Sequence, residues 1–506
     1  MSSPPPRRPG PGLALGASAV SFAVVATVAA TPGSPFTPIL PPGAGPAGPF
    51  RWLSGLVGLD ALDGTALAAV GVASVVGAAA AFALVLRQAW FGAVRARTVV
   101  WLAVAYHVAI LFLPLLFSRD VYSYAYYGKI AAVYHANPYV ATPAEFPADE
   151  LAAFVGPRWV DTPAVYGPLW TQISALVVRF VDGVAATIVV FRVLAVAASL
   201  GTLAVVARLV GRARPERLAF ALAIIGLNPV VVFQSAGSGH NDLLLALSVA
   251  GALALVVARR TFPATAALAL GALVKVTAAL PLLLFVIADV ASRPRGERAR
   301  VAAGHVGVAG GLALVAAAPF LTARDPSLGM FELATHEGWL APSRFFRRVL
   351  DAVSGDVLGV VPRIVFPLLL VGVVMVLGRE LLRRVPVGGW THGASWGWGL
   401  VALMLLGPVL LPWYVTWALP LVWLLPFVPR TVMIGTSLAL TVSQWTSEPA
   451  RFSDAYDVNI LFGHYAVTPV VIGLLAWLLV DLRRRTRAGE PLEDAPRAVP
   501  AAAGDP

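Results

Sequence analysis

Long apolar runs separated by short polar intervals repeat along almost the whole chain, from residue 13 to residue 482. Runs of about 17 to 25 residues are what a helix needs to cross roughly 30 Å of hydrocarbon. The pattern predicts spans at roughly 13–31, 66–86, 98–117, 184–209, 218–236, 241–258, 301–321, 359–378, 396–412, 413–428, 431–446 and 465–482. Segment 263–291 is too long for one ordinary span, and the polar break Lys275-Val276-Thr277 predicts that it turns back there. Segment 168–182 opens with Gly167-Pro168 and is too short to cross comfortably, so it reads as a re-entrant or interfacial helix. The expectation is an all-α, polytopic transmembrane helical bundle of about 12–14 spans, with extracytoplasmic loops carrying short interfacial helices. It forms one domain over 13–482, with disordered cytoplasmic tails at 1–12 and 483–506.

The polar intervals give the bundle a direction. Basic clusters fall at Arg87/Arg95/Arg97, Arg212/Arg214/Arg217, Arg259-Arg260, Arg293/Arg295/Arg298/Arg300, Arg379/Arg383/Arg384 and Arg483–Arg487. All of them face the cytoplasm if the N-terminus does, as the positive-inside bias requires. The run 13–30 behind Arg7-Arg8 resembles a secretory signal. Read as an uncleaved first span, it fits the same topology. The opposite face receives 32–65, 118–167, 237–242, 322–357 and 447–464, which hold most of the loop aromatics and carboxylates. That face is read as extracytoplasmic, and the protein as a multi-pass plasma-membrane protein.

Composition narrows the classes. Of the 506 residues 58% are hydrophobic and 12% charged, which excludes an ordinary soluble domain. The net charge of +11 sits in short clusters between apolar runs, so it reads as topology rather than nucleic-acid binding. Cysteine is absent, which removes disulfides and thiol chemistry. There are two lysines, Lys129 and Lys275.

Four polar constellations stand out. The first runs from Ser118-Arg119-Asp120 through Tyr122, Tyr124, Tyr126 and Tyr127 to Asn137-Pro-Tyr139 and Val165-Tyr166-Gly-Pro-Leu-Trp170. Tyrosine and tryptophan offer a pyranose a flat apolar face and a polar edge, and a carboxylate can take an acceptor hydroxyl proton. Equally, Ser118 or Asp120 can cap a helix and the aromatics can form an interfacial belt. The second is Gly237-Ser-Gly-His240-Asn241-Asp242, which is also the composition of a plain turn. One His and one Asp are a weak metal signal, and no metal or other cofactor is assigned. The third is Lys275: a charge inside an apolar segment either snorkels to the interface or needs a partner, and a phosphate is the obvious one. The fourth is the loop from Thr322 to Arg344, Arg347 and Arg348, whose arginines suit anionic head groups and phosphate equally. Trp413, Tyr414 and Trp417 read as part of the interfacial belt.

Together, Arg119-Asp-Val-Tyr-Ser-Tyr, Asn137-Pro-Tyr, Val165-Tyr-Gly-Pro-Leu-Trp, Gly239-His-Asn-Asp and Lys275 resemble bacterial polyprenol-phosphate-mannose-dependent α-1,6-mannosyltransferases, membrane glycosyltransferases of the GT-C class. The likeness extends over roughly 60–480. It implies a GT-C-type bundle that takes a sugar, mannose by the resemblance, from a polyprenyl-phosphate donor on the outer face and inverts the anomeric centre. The acceptor would be a glycan or glycolipid. Asp120 would be the general base and Lys275 the donor-phosphate ligand, with Arg119 or Arg344 helping. Tyr122, Tyr124, Tyr166, His240, Asn241 and Asp242 complete the expected substrate-binding set. Two other classes share the polytopic pattern: a transporter or flippase of lipid-linked sugar, and a membrane scaffold. No internal repeat of the kind many transporters carry is visible.

Overall fold

A computed structural model describes residues 10–41, 48–321, 336–355, 357–447 and 453–494. Among these, every regular element is helical. They are α1 (Pro11–Ala30), α2 (Pro49–Leu56), α3 (Gly64–Trp90), α4 (Ala96–Ile110), α5 (Asp120–Ala132), α6 (Pro168–Phe180), α7 (Val184–Ala213), α8 (Leu218–Gly226), α9 (Asp242–Val257), α10 (Thr261–Val274), α11 (Ala279–Ala291), α12 (Arg298–Ala317), α13 (Pro342–Ser354), α14 (Val360–Arg383), α15 (Gly389–Leu406), α16 (Phe427–Ser443), α17 (Ser453–Phe462) and α18 (Thr468–Ala488). Among the described residues, seven helical segments are long and apolar enough to cross a membrane, and five shorter apolar helices accompany them. The all-α polytopic bundle expected from the apolar pattern is the fold observed. The early part of the loop 322–357, from Thr322 to residue 335, lies outside the described residues.

The break at Lys275 is present. It takes an extended conformation (φ −151°, ψ 123°) between α10 and α11, which turn back as a hairpin through the 3-10 turn Val276–Ala278. Segment 168–182 is the 13-residue α6, packed on α5. Its entry is fixed by a close approach of backbones. Gly167 N–H donates to the Val274 carbonyl at 3.1 Å, and a Cβ at Gly167 would stand 2.1 Å from the Leu273 carbonyl oxygen. Gly167→Ala is therefore expected to destabilise the protein by about 1–3 kcal/mol. Gly251→Ala on α9, where a Cβ meets nothing within 4 Å, should be neutral or stabilising; thermal melting of the two detergent-purified variants measures the contrast.

Two expectations are corrected. The apolar run 413–428 is not an α-helix. It forms two 3-10 helices, Pro412–Trp417 and Leu419–Leu424, whose residues are all buried. Pro412 and Pro420 remove backbone donors and bar a continuous α-helix, and non-α backbone at membrane depth is tolerated only inside protein. Hence Trp413, Tyr414 and Trp417 belong to the interior rather than to an interfacial belt. In the loop 447–464, where short loop helices are expected, α17 runs through the π-helical turn Gly463–Val467 into α18. Finally, the tail expected from residue 483 is ordered to Asp494. α18 continues to Ala488, and the chain folds back so that Leu492 is fully buried, its carbonyl accepting from Trp398 Nε1 at 3.0 Å. Asp494 pairs with Arg214 (3.2 Å) and Arg430 (3.3 Å), while Arg217 and Arg430 both lie over the Trp90 ring. Arg214 and Arg217, between α7 and α8, and Arg430 of α16 thus converge on the segment after α18 at one end of the bundle.

Candidate functional site

At the opposite end, four elements deliver polar groups to one place. The α4–α5 connection is pinned first. Arg192 on α7 donates to the carbonyls of Ile110 and Leu113, satisfying the orphan carbonyls at the end of α4. Phe117 is held at φ 55° by its N–H bond to the Phe36 carbonyl (2.7 Å) and by Ser447 Oγ donating to its own carbonyl (3.0 Å). Left-handed backbone persists in a bulky residue only when its surroundings over-determine it. Ser118 Oγ, one residue before the N-cap, then accepts from the Asp120 N–H at 3.1 Å, and Asp120 opens α5.

Helical spacing decides which tyrosines share its face. Residues 120, 124 and 127 lie along one side of α5. Tyr124 reaches His240 Nδ1 with its hydroxyl at 3.4 Å and packs edge-on against Tyr166 at 4.7 Å. Tyr122 points elsewhere, its ring 5.0 Å from Phe154. Arg119 is the α5 N-cap residue and donates to the Ile39 carbonyl. Of the predicted set, Tyr122 packs on Phe154 and Arg119 reaches the Ile39 carbonyl.

The second element is the turn 237–242. Ser238 Oγ donates to the Leu116 carbonyl, tying this turn to the approach of α5. His240 Nδ1 stands 3.7 Å from Asp120 Oδ2. His240, Asn241 and Asp242 are wholly buried, and both side-chain polar atoms of Asn241, His240 Nε2 and Asp242 Oδ2 have no hydrogen-bond partner among the described residues. Burial and the nearby Lys275 charge push the His240 imidazole well below its usual pKa, so it faces Asp120 as a neutral ring. Asp120 retains 24% side-chain exposure. Burial lifts its carboxyl to about 6, against the lowering pull of Lys275 and the Ser118 hydrogen bond; the Asp242 charge adds to the rise.

Lys275, at the α10–α11 break, is the third contributor. Its Nζ donates to Asp242 Oδ1 at 2.7 Å and lies 4.5 Å from the Tyr414 ring centroid and 5.3 Å from that of Trp417. The 3-10 helix 412–417 is the fourth, and its geometry supplies the aromatics. Residues three apart eclipse in a 3-10 helix, so Tyr414 and Trp417 stack at 4.1 Å, while Trp413 stacks on His240 at 3.9 Å. Trp417 Nε1 also donates to Asp242 Oδ1, at 2.6 Å. These three aromatics were missed as site residues. The signal was the pair of prolines, eight residues apart, inside an apolar run.

Beside Lys275 opens a cavity of about 370 Å³. Tyr166, Lys275, Tyr414 and Trp417 form its polar end; Leu280, Leu370, Val374 and Leu403 of α11, α14 and α15 supply apolar walls. Arg344 is not among the lining residues; it sits on α13 and donates to the Glu337 carbonyl. On the same helix Arg347 is paired with Glu337 (2.6 Å) and Asp351 (2.9 Å). Asp120, Tyr124, Tyr166, His240, Asn241, Asp242 and Lys275 are thus gathered into one cluster. The arrangement offers a part-exposed carboxylate for proton removal, a cation at the mouth of an apolar cavity, and aromatic faces between them.

Comparison with known proteins identifies what the chain is similar to. The family described as alpha-(1->6)-mannopyranosyltransferase, N-terminal domain, matches residues 20–291, and glycosyltransferase family 87 matches residues 164–443. A protein of Mycobacterium tuberculosis named alpha-(1->6)-mannopyranosyltransferase A is 28% identical over 347 residues, 64% of each chain. A protein of the same name from Corynebacterium glutamicum is 30% identical over 178 residues, 35% of each chain. The chain thus spans less than two thirds of the length of the curated relatives it matches. No solved structure matches it.

Proposed function

The chain belongs to the alpha-(1->6)-mannopyranosyltransferase family, and from that membership we propose that it is a hexosyltransferase moving mannose from a polyprenyl-phosphate donor to a glycan or glycolipid acceptor at the extracytoplasmic face. The observation that carries this reading is that Lys275, linked to Asp120 through the buried turn holding His240 and Asp242, lines the polar end of a cavity whose other walls are apolar. A lipid phosphate has that same polarity. The donor phosphate replaces Asp242 as the partner of Lys275, and the first isoprene units lie between α11, α14 and α15. Tyr166, Tyr414 and Trp417 flank the sugar. The gathering of arginines at the other end of the bundle supports the outward placement of the site.

The transfer is a single displacement. Asp120 takes the acceptor hydroxyl proton as that oxygen bonds to C1, while the bond from C1 to the phosphate oxygen breaks on the opposite side. The leaving polyprenyl phosphate carries the electron pair, and Lys275 stabilises its growing charge. An α-linked product follows from a β-linked donor. Asp242 holds Lys275 in place until the donor binds, and neutral His240 fixes the side from which Asp120 approaches.

The test supplies the purified protein with synthetic polyprenyl-phosphate mannose and an α-mannoside acceptor; a new α-glycosidic bond is the expected product. Labelled donor that changes leaflet in vesicles without forming such a bond would establish the transporter reading instead. The pH profile is a second check. Only ionised Asp120 accepts the proton, and its carboxyl titrates at about 6. The value of kcat/KM should therefore be level above pH 7 and fall roughly tenfold per unit below 6. The phosphodiester donor stays ionised throughout, so an acid limb centred near 4 would remove Asp120 from the role.

A further inference from the structure

At the far end of α10 from Lys275, the α9–α10 and α11–α12 turns enclose an open pocket of about 420 Å³, lined by Arg259, Arg260 and Arg293 with Thr261, Phe262 and Val301. Its charge is not balanced locally. Arg293 donates through Nη2 to Asp289 (2.8 Å) and Thr261 (3.3 Å), and its buried Nε–H has no acceptor. Asp289 is shared with His305 at 3.1 Å. Among the described residues no carboxylate pairs with Arg259 or Arg260. The turn that presents them is fixed by N–H bonds from Arg259 to Val256 (2.9 Å) and from Arg260 to Leu255 (2.8 Å). It also holds Arg259 at φ 58°, where a side chain is disfavoured.

The pocket continues into an apolar track. The Phe262 ring covers Gly304, where a Cβ would stand 2.6 Å from Cε1. Beyond it, Gly307 and Gly311 face open space on α12, beside exposed Val306 and Val315. Of the seven long apolar segments α12 is the least covered by protein. Guanidinium forks match phosphate oxygens, and basic pockets between membrane helices hold anionic head groups.

We propose that this pocket binds the phosphate head group of an anionic membrane lipid, with an acyl chain laid along the Gly304, Gly307 and Gly311 face of α12. A soluble phosphate would use the arginines but not the track. The site is separated from Lys275 by the length of α10, roughly 20 Å at 1.5 Å per residue, and does not depend on the proposed transferase activity.

The experiment titrates delipidated full-length protein in neutral detergent with phosphatidylglycerol or phosphatidylcholine, reading bound lipid by intact-protein mass spectrometry and stabilisation by thermal melting. The wild type should retain and be stabilised by phosphatidylglycerol selectively. Arg259→Gln with Arg260→Gln should weaken that binding about 30-fold. Arg295→Gln with Arg300→Gln, the same charge change at exposed positions outside the pocket, should leave it within about twofold of wild type. Gly307→Leu, which fills the track without touching charge, should also weaken it. Equal weakening by the two double variants would reduce the effect to a diffuse field, and equal stabilisation by inorganic phosphate would make this a soluble-anion site; either overturns the proposal, as does wild-type binding in the pocket variant.

Discussion

Asp120→Asn is expected to lower the turnover of sugar transfer by about 10²- to 10⁴-fold, the range for loss of a positioned general base, with KM for the donor little changed. The variant should fold. Asparagine has the shape of the protonated carboxyl, and the raised pKa of Asp120 means that burial disfavours its charged form. The sign follows from linkage. A carboxyl whose folded pKa lies above its unfolded value binds its proton more tightly when folded, so stability falls as pH rises through that range. Removing the charge at neutral pH should leave the melting temperature unchanged or slightly raised. Full transfer activity in a folded Asp120→Asn protein would return the residue to the role of helix opener.

Lys275→Met is the second large effect, and it strikes stability as well as function. Lys275 is 11% exposed and Asp242 fully buried at 2.7 Å. Truncating one partner leaves an uncompensated buried charge, at a cost of about 3–5 kcal/mol. The double variant Lys275→Met with Asp242→Leu removes both charges and should recover most of the melting temperature. It should not recover transfer, because the departing phosphate still lacks its cation. If transfer returned along with stability, the pair would be structural and the donor phosphate would have to bind elsewhere.

The fold was legible because its determinants are local. Apolar run length fixed most spans, and the polar triplet at Lys275 marked a break that the backbone makes where expected. The irregular crossing at 412–424 was not, since hydropathy responds to side-chain transfer and is blind to the hydrogen bonds that prolines remove. Part of the site was readable for the same local reason: Asp120, His240, Asp242 and Lys275 each stand out against an apolar background. Which tyrosines face them depends on the rotation of α5, which a one-residue offset would change. Tyr122 and Tyr124, two residues apart, consequently end on different sides. Trp413, Tyr414 and Trp417 look like belt residues until the segment carrying them is known to be buried on every side.

The bond between Lys275 and Asp242 also bears on how a reaction cycle would end. A cation that holds a lipid phosphate well enough to help it leave is also a cation that keeps the spent carrier. Because Asp242 is covalently tethered beside Lys275, it re-competes for the ammonium at a high effective concentration the moment the carrier loosens. The enzyme would then carry its own internal eluent. With the proposed donor, inhibition by accumulated free polyprenyl phosphate would be set by that carboxylate, and weakening it should convert a turning-over enzyme into one that stalls on its own by-product.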